Sequence, residues 1–279
     1  MSDSLVEVST ESLPILRDAY KVNWPEHIVA YSFLDKMIKR FKERPEQREI
    51  VKIYSIGEKL EQDATFVAVT GNESVLLATL DLTFERLNIG LKCLNFDVRK
   101  VFLCVREIYR DTFTEFIKSR DLKILFDDAT IMVHMKHEDA INLQYEIPEG
   151  LVIRSLSTSN ADHINSIWPH RSPGSEKFIE YCIEMNLSVG LYDQVTGELL
   201  AWCLEHDNGN LLALQVDRNH LRKGYATIVT KAITKLIAQE RGFDVHTNIV
   251  VANFKSLGLF EKLSFNKIDK NFWTGVVNK

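Results

Sequence analysis

Apolar and polar positions alternate along this chain in two rhythms, one helical and one extended. Tyr31, Leu34, Ile38 and Phe41 recur at helical spacing over residues 28–41, behind the turn-forming pair Trp24-Pro25, and predict a helix. Its other side carries Lys36, Lys39, Arg40, Lys42 and Arg44, a basic face expected to meet water. Residues 66–69 and 75–82 read as two strands joined by the turn Thr70-Gly71-Asn72-Glu73. A strand or buried segment over 101–105, a helix near 110–120 and an apolar stretch ending Ile131-Met132-Val133-His134 complete the first half.

The second half has a hairpin at 197–204, an apolar strand at 211–216 and a polar, basic turn at 217–223. Gly224-Tyr225-Ala226 then opens a long helix with Tyr225, Ile228, Val229, Ala232, Ile233, Leu236 and Ile237 on one side and Gly242 as its stop. A β-branched strand over 245–251 follows. Asn253 is placed to cap a helix that runs into Leu259-Phe260-Glu261-Lys262-Leu263-Ser264-Phe265.

The start of the long helix is where this sequence describes a ligand. Four backbone N–H groups at a helix start have no partner within the helix, and the aligned peptide dipoles place partial positive charge there. Anions bind at such ends. Gly224 and Ala226 carry little or no side chain, so a phosphate could approach their backbone closely, and Arg222 and Lys223 add charge beside it.

Strand, Arg222-x-Gly224-x-Ala226 turn, long helix, strand, an Asn253-x-x-Ser256 helix and the Leu-Phe-Glu-Lys-Leu-x-Phe ending together resemble the acyl-CoA-binding half of the α/β fold of the GCN5-related N-acetyltransferase (GNAT) superfamily. Trp168, Gly174-Ser175-Glu176, Tyr181-Cys182-Ile183, the hairpin at 197–204 and Asp207-Asn208-Gly209 narrow the resemblance to the glycine N-acyltransferase-like family, over residues 150–279. The resemblance implies acyl-CoA as cosubstrate and acyl transfer to a small amine such as glycine or another amino acid. The alternatives are a different amine or protein acceptor, and an acyl-CoA-binding module without catalysis. It also implies that the backbone at Leu214, Gln215 and Val216 pairs with pantetheine and supplies the oxyanion donor. The turn of Arg222, Lys223, Gly224, Tyr225, Ala226 and Thr227 would hold the pyrophosphate, with Asn253, Ser256 and Phe260 along the ligand.

Three positions depart from the family pattern. Leu221 stands where an Arg or Gln commonly begins the phosphate turn. Phe260 stands where many members carry a tyrosine that protonates the leaving thiolate, and Asn210 stands where an acid would follow Gly209. Glu205, His206 and Asp207 are then the candidate general bases, with Glu205 preferred because a strand holds a side chain more rigidly than a turn.

Trp24-Pro25 recurs as Trp168-Pro169, each ahead of a helix and of a hairpin turn containing Thr-Gly (Thr70-Gly71, Thr196-Gly197). The expectation is two tandem GNAT copies, residues 1–147 and 148–279, joined at Pro148-Glu149-Gly150, the N-terminal copy degenerate because it lacks the Gly-x-Ala turn. A net charge of -5 argues against nucleic acid as a partner. Cys93, Cys104, Cys182 and Cys203 show no paired spacing and are expected as buried free thiols in a reducing compartment. His134 and His137, beside Glu138 and Asp139, imitate a metal pair, but no second pair completes a structural zinc set, so no metal is expected. The acidic start lacks a signal or presequence pattern, and no run approaches the ~20 apolar residues of a membrane span. A cytoplasmic protein without membrane insertion is expected, with mitochondria allowed by the family resemblance.

Overall fold

The computed structural model describes residues 4–57, 60, 63–71 and 73–279. Met1 to Asp3 and Asn72 of the expected hairpin turn lie outside them. The first series of elements is β1 (Leu5–Glu7), α1 (Leu13–Ala19), α2 (Ile28–Glu43), β2 (Val51–Ile56), β3 (Phe66–Thr70), β4 (Ser74–Ala78), α3 (Glu85–Lys92), β5 (Lys100–Arg106), α4 (Arg110–Ser119) and β6 (Leu122–Met135). After the short α5 (His137–Ile141), the same order returns as β7 (Leu151–Arg154), α6 (Ala161–Ile167), α7 (Ser175–Met185), β8 (Ser188–Asp193), β9 (Leu199–Glu205), β10 (Leu211–Val216), α8 (Tyr225–Arg241), β11 (Val245–Val250), α9 (Phe254–Lys262) and β12 (Asn266–Asn278). Each Trp-Pro pair precedes the second helix of its series, so the faint sequence repeat is a repeat of architecture. The larger sheet has the order β1-β2-β3-β4-β5-β12-β6-β11 and the smaller one β10-β9-β8-β7.

The chain divides into two compact units, Met1–Met132 with Asn248–Asn253 and Lys267–Lys279, and Val133–Thr247 with Phe254–Asn266. The expected junction at residues 147 and 148 lies inside the second unit. The C-terminal strand belongs largely to the first because β12 pairs antiparallel with β5, from Asn271↔Arg106 to Val276↔Lys100.

In unit 1, Phe66, Val67 and Ala68 of β3 are all buried, because both faces of the strand are covered. Phe66 and Ala68 join Leu16, Phe33 and Met37 on the α1/α2 side. Val67 joins Leu87, Phe102 and Phe113 on the α3/α4 side. The expected helix at 28–41 is α2, but its basic face is not wholly solvated: Lys36 is 2% exposed and Arg40 6%. Helical geometry explains this, because Lys36 and Arg40 share a stripe with the buried Phe33 and Met37. Lys42 and Arg44 do face water.

His27 stands immediately before α2, its ring 5.7 Å from that of Tyr20 and its Nδ1 3.2 Å from Arg106 Nη1. Burial first, and then the Arg106 charge, lowers its pKa to about 4. A histidine held neutral in the folded state adds stability that is complete above the unfolded value near 6.5 and is lost as pH falls toward 4. Between pH 7.5 and 5 the unfolding free energy is therefore expected to fall by about 2 kcal/mol through this group. Urea denaturation of the wild type beside His27→Gln measures it, since the variant should lose that part of the slope.

In unit 2, every residue of β9 is buried. Trp202 is fully enclosed, with Ile164, Ile179 and Cys182 of α6 and α7 in the same cluster, and α8 packs against β8 and β9. Glycines 224 and 242 bound α8 in left-handed conformations, φ 80° and 73°, where glycine avoids the Cβ clash other residues incur. Among the described residues no helix is long and apolar enough to cross a membrane. Cys104, Cys182 and Cys203 are buried, as expected, whereas Cys93 is exposed because it sits just past the C-terminal end of α3. Burial pushes the Cys203 thiol up to about 12, leaving almost no thiolate at neutral pH. Iodoacetamide should thus label Cys93 at least tenfold faster than the other three, read by peptide mapping of the native protein.

Candidate active site

The site is built from the exposed edge of one strand and the helix start that follows it. β10 is the edge strand of the smaller sheet. On its free side the isolated bridge among the described residues is parallel, Asn210↔His246. Its register against β9 then breaks between Leu212 and Gln215, where Ala213 adopts φ 49°. A bulge at an edge bends the strand and leaves backbone donors and acceptors unpaired by neighbours. Leu214, Gln215 and Val216 lie just beyond that bend, half-buried. An extended ligand carrying amides can add to such an edge as a further strand would.

Beyond Val216 the chain makes a 3-10 turn capped by Asp217, whose Oδ1 accepts from the Asn219 N–H at 2.9 Å. Arg222 takes φ 64° and Gly224 φ 80°, and Gly224 becomes the N-cap of α8. The Gly224 carbonyl accepts from the N–H groups of Thr227 and Ile228 at 3.0 and 3.3 Å. Among the described residues no protein acceptor takes the N–H groups of Lys223, Gly224, Tyr225 and Ala226. Arg222, Lys223 and Gly224 are exposed, and a Cβ at Gly224 would meet nothing within 4 Å. The conformation, rather than the space, demands glycine here. Unpaired donors and the helix dipole meet at this turn, and the exposed Arg222 and Lys223 belong to it, which suits a phosphate.

Unit 1 contains the corresponding turn with the opposite outcome. Phe84 caps α3 at φ 59°, but Asp81 supplies its own anion, accepting from the Thr83 N–H at 2.9 Å, the Thr83 hydroxyl at 2.7 Å and the Arg86 N–H at 3.3 Å. Asp81 thus takes the Arg86 N–H of the helix start, and Thr83 Oγ1 accepts the Glu85 N–H at 3.4 Å.

The three candidate bases, at the end of β9 and in the turn after it, are all enclosed. Glu205, His206 and Asp207 are 1%, 6% and 4% exposed, neither surface groups nor free ones. Glu205 Oε2 accepts from Arg241 Nη2 at 3.0 Å and from the Leu187 N–H at 3.3 Å. Asp207 accepts from the Tyr181 hydroxyl at 2.8 Å and from Asn186 Nδ2 at 3.0 Å. His206 Nδ1 lies 2.8 Å from Asn208 Oδ1, and His246 Nε2 lies 3.1 Å from the Asn208 carbonyl. Glu205 is thus an enclosed carboxylate held by a guanidinium. Phe260 is 3% exposed and meets Phe265 edge-on at 4.9 Å. Asn253 is exposed directly before α9, and Ser256 is half-buried in its first turn.

Other groups were not legible from spacing. The Gln215 side chain donates from Nε2 to the Ile167 carbonyl at 2.8 Å, which anchors the strand just past its bulge to α6. His163 Nε2 stands 3.5 Å from Asp217 Oδ2. Glu198, Asp217 and His220 bring one ligand atom each within 4.8 Å of one another, although Glu198 Oε1 and His220 Nε2 already pair at 3.1 Å. His134 Nε2 pairs with Asp244 Oδ2 at 2.9 Å, and Asp244 Oδ1 accepts from the His137 N–H at 2.8 Å. That histidine pair is thereby tied to the start of α5.

The sequence profile of the FR47-like protein family matches residues 188–274, the stretch holding β10, the turn and α8. No curated protein matches the chain. Among solved structures, a Drosophila protein aligns over 99% of both chains with 22% identity and a TM-score of 0.87. A tandem GNAT protein from the clavulanic acid biosynthesis pathway covers 98% of this chain and 97% of its own, at 10% identity and a TM-score of 0.54. A GCN5-related N-acetyltransferase from Sphaerobacter thermophilus covers 97% and 94%, at 11% identity and a TM-score of 0.51. The fold is a tandem GNAT fold, as the repeated element order requires.

Proposed function

We propose that unit 2 binds acyl-CoA and transfers its acyl group to a small amine, with glycine or another amino acid as the acceptor class. The observation that carries this reading is the run of unpaired N–H groups from Lys223 to Ala226 at a left-handed Gly224, directly after a bulged edge strand. In this reading the backbone of Leu214, Gln215 and Val216 pairs with the pantetheine amides and donates to the thioester oxygen as charge develops on it. The turn from Arg222 to Thr227 holds the pyrophosphate. Asn253 and Ser256 flank the entry to α9.

The amine nitrogen bonds to the thioester carbon, the C–S bond breaks, its electron pair leaves with sulfur, and the amine proton passes to water. With Glu205, His206 and Asp207 enclosed in hydrogen bonds, no side chain on β9 or its turn is free to take that proton. Rate acceleration would rest on alignment and on the oxyanion donor, effects that need no ionisable group. An acceptor that is already neutral would then react best, and the rate should climb with pH toward the amine's own pKa.

The burial of those same three residues favours a second reading, an acyl-CoA-binding module without turnover. CoA thiol release from purified protein separates the two, with acetyl-, benzoyl- and long-chain acyl-CoA offered alongside glycine, other amino acids or no amine. Amine-dependent release establishes the transferase and its acceptor; binding without release by any acceptor selects the module.

A further inference from the structure

Away from the His134 and His137 pair, unit 2 gathers a second group of nitrogen and oxygen ligands. Asp217 caps and His220 ends one turn of 3-10 helix, a geometry in which side chains three apart stand nearly eclipsed. Backbone bonds hold that turn in place: the His220 N–H donates to the Asp217 carbonyl at 2.9 Å, and the Asp217 N–H to the Leu200 carbonyl at 2.8 Å. Glu198, just before β9, joins them, so that the three residues bring one ligand atom each within 4.8 Å of one another. His163 of α6 completes the group. Its Nε2 stands 3.5 Å from Asp217 Oδ2, and its ring rests against Trp202 at 5.2 Å.

Spacing and donor type separate this group from ordinary surface ion pairs. Two ligands of a tetrahedral zinc, each about 2.0–2.1 Å from the ion, stand roughly 3.3–3.4 Å apart. The His163–Asp217 pair is at 3.5 Å, longer than a usual N–H···O hydrogen bond, and the Glu198–His220 pair is at 3.1 Å. Asp217 is 8% exposed and its Oδ1 is committed to the Asn219 N–H, which leaves Oδ2 for His163. The Glu198 side chain is half exposed and can rotate to close the remaining gap. Two imidazoles with two carboxylates suit zinc, whereas magnesium and calcium favour oxygen ligands alone.

We propose that His163, Glu198, Asp217 and His220 form a zinc site that clips α6 and the start of β9 to the turn after β10. Lys223 Nζ donates to His220 Nδ1 at 3.3 Å, so the ring proton sits on Nε2 and faces Glu198 Oε1. Zinc takes the place of that proton, which moves to Nδ1, and Lys223 turns away. All four ligands lie within unit 2, and the site does not depend on whether that unit binds acyl-CoA.

Zinc chloride is titrated by calorimetry into the intact protein, with magnesium chloride as the hard-cation control, and cobalt(II) in place of zinc reports the geometry through its visible absorption. One equivalent of zinc is expected to bind, magnesium to give no binding, and cobalt to show the intense bands of tetrahedral coordination. Loss of even an outer partner of a metal ligand weakens affinity by about 10–100-fold, so His220→Ala and His163→Ala should each weaken zinc binding by at least that much. Should His163→Ala fail to fold, for want of its contact with Trp202, Glu198→Gln decides, because that side chain is half exposed. No zinc binding, equal binding of magnesium, or zinc affinity unchanged in His220→Ala overturns the proposal and leaves two histidine–carboxylate pairs.

Discussion

Gly224→Glu is expected to weaken acyl-CoA binding by on the order of 100-fold, about 2.7 kcal/mol, with the fold intact. Two effects add. Gly224 sits at φ 80°, a conformation that costs a residue with a Cβ roughly 1–2 kcal/mol, and the new carboxylate would lie among the N–H groups proposed to meet the pyrophosphate. Because a Cβ there meets no atom within 4 Å, the side chain points into open space and does not disturb the core. Gly224→Asn separates the terms: asparagine tolerates the left-handed region and brings no charge, so it should lose far less affinity. Calorimetric titration with CoA checks both, with circular dichroism as the control for folding. Equal affinities in wild type and Gly224→Glu would remove the phosphate from this turn and the proposed function with it.

Glu205→Ala is expected to destabilise unit 2 by about 3–5 kcal/mol, the usual cost of stranding one member of a buried ion pair. Glu205 is 1% exposed and Arg241 15% at the side chain, so water screens the pair little. The carboxylate ties the end of β9 to the last turn of α8 and to the Leu187 N–H, three segments far apart in the chain. Thermal unfolding should shift downward by roughly 10 °C. Replacing both partners by leucine should recover much of the loss, because no charge is then left alone. A catalytic role makes a different prediction: Glu205→Gln would abolish amine-dependent thiol release while leaving the melting temperature near that of the wild type. The buried geometry predicts the opposite pattern, a large thermal shift with turnover reduced only through loss of folded protein.

Much of unit 2 was legible because its signals are local. The spacing of Ile228, Val229, Ala232 and Ile233 demands a helix, and β-branched residues at 245–250 demand a strand, whatever lies around them. Gly224 and Gly242 mark the ends of α8 for a reason intrinsic to the residue, the absence of a Cβ. Depth was not legible. Lys36 and Arg40 read as a solvated face because charge usually is, and Glu205, His206 and Asp207 read as exposed or catalytic for the same reason. Glu205 and Asp207 are held by partners remote in sequence, Arg241 for the first and Tyr181 with Asn186 for the second. The bulge at Leu212 to Gln215 left no sequence signal, since Ala213 takes a positive φ that composition does not announce.

By itself, then, the sequence determined the order of strands and helices, their repeat and the phosphate-compatible turn at Gly224, all consequences of periodicity and of single-residue backbone preferences. Tertiary structure alone decided that β12 pairs with β5, that Asp81 binds the turn before α3, and that Glu205 and Phe260 are buried. The physical reason is one of range. Helical and strand rhythm are written within a few neighbouring residues, whereas burial and the pairing of a charge are set by contacts between segments that meet only when the chain folds.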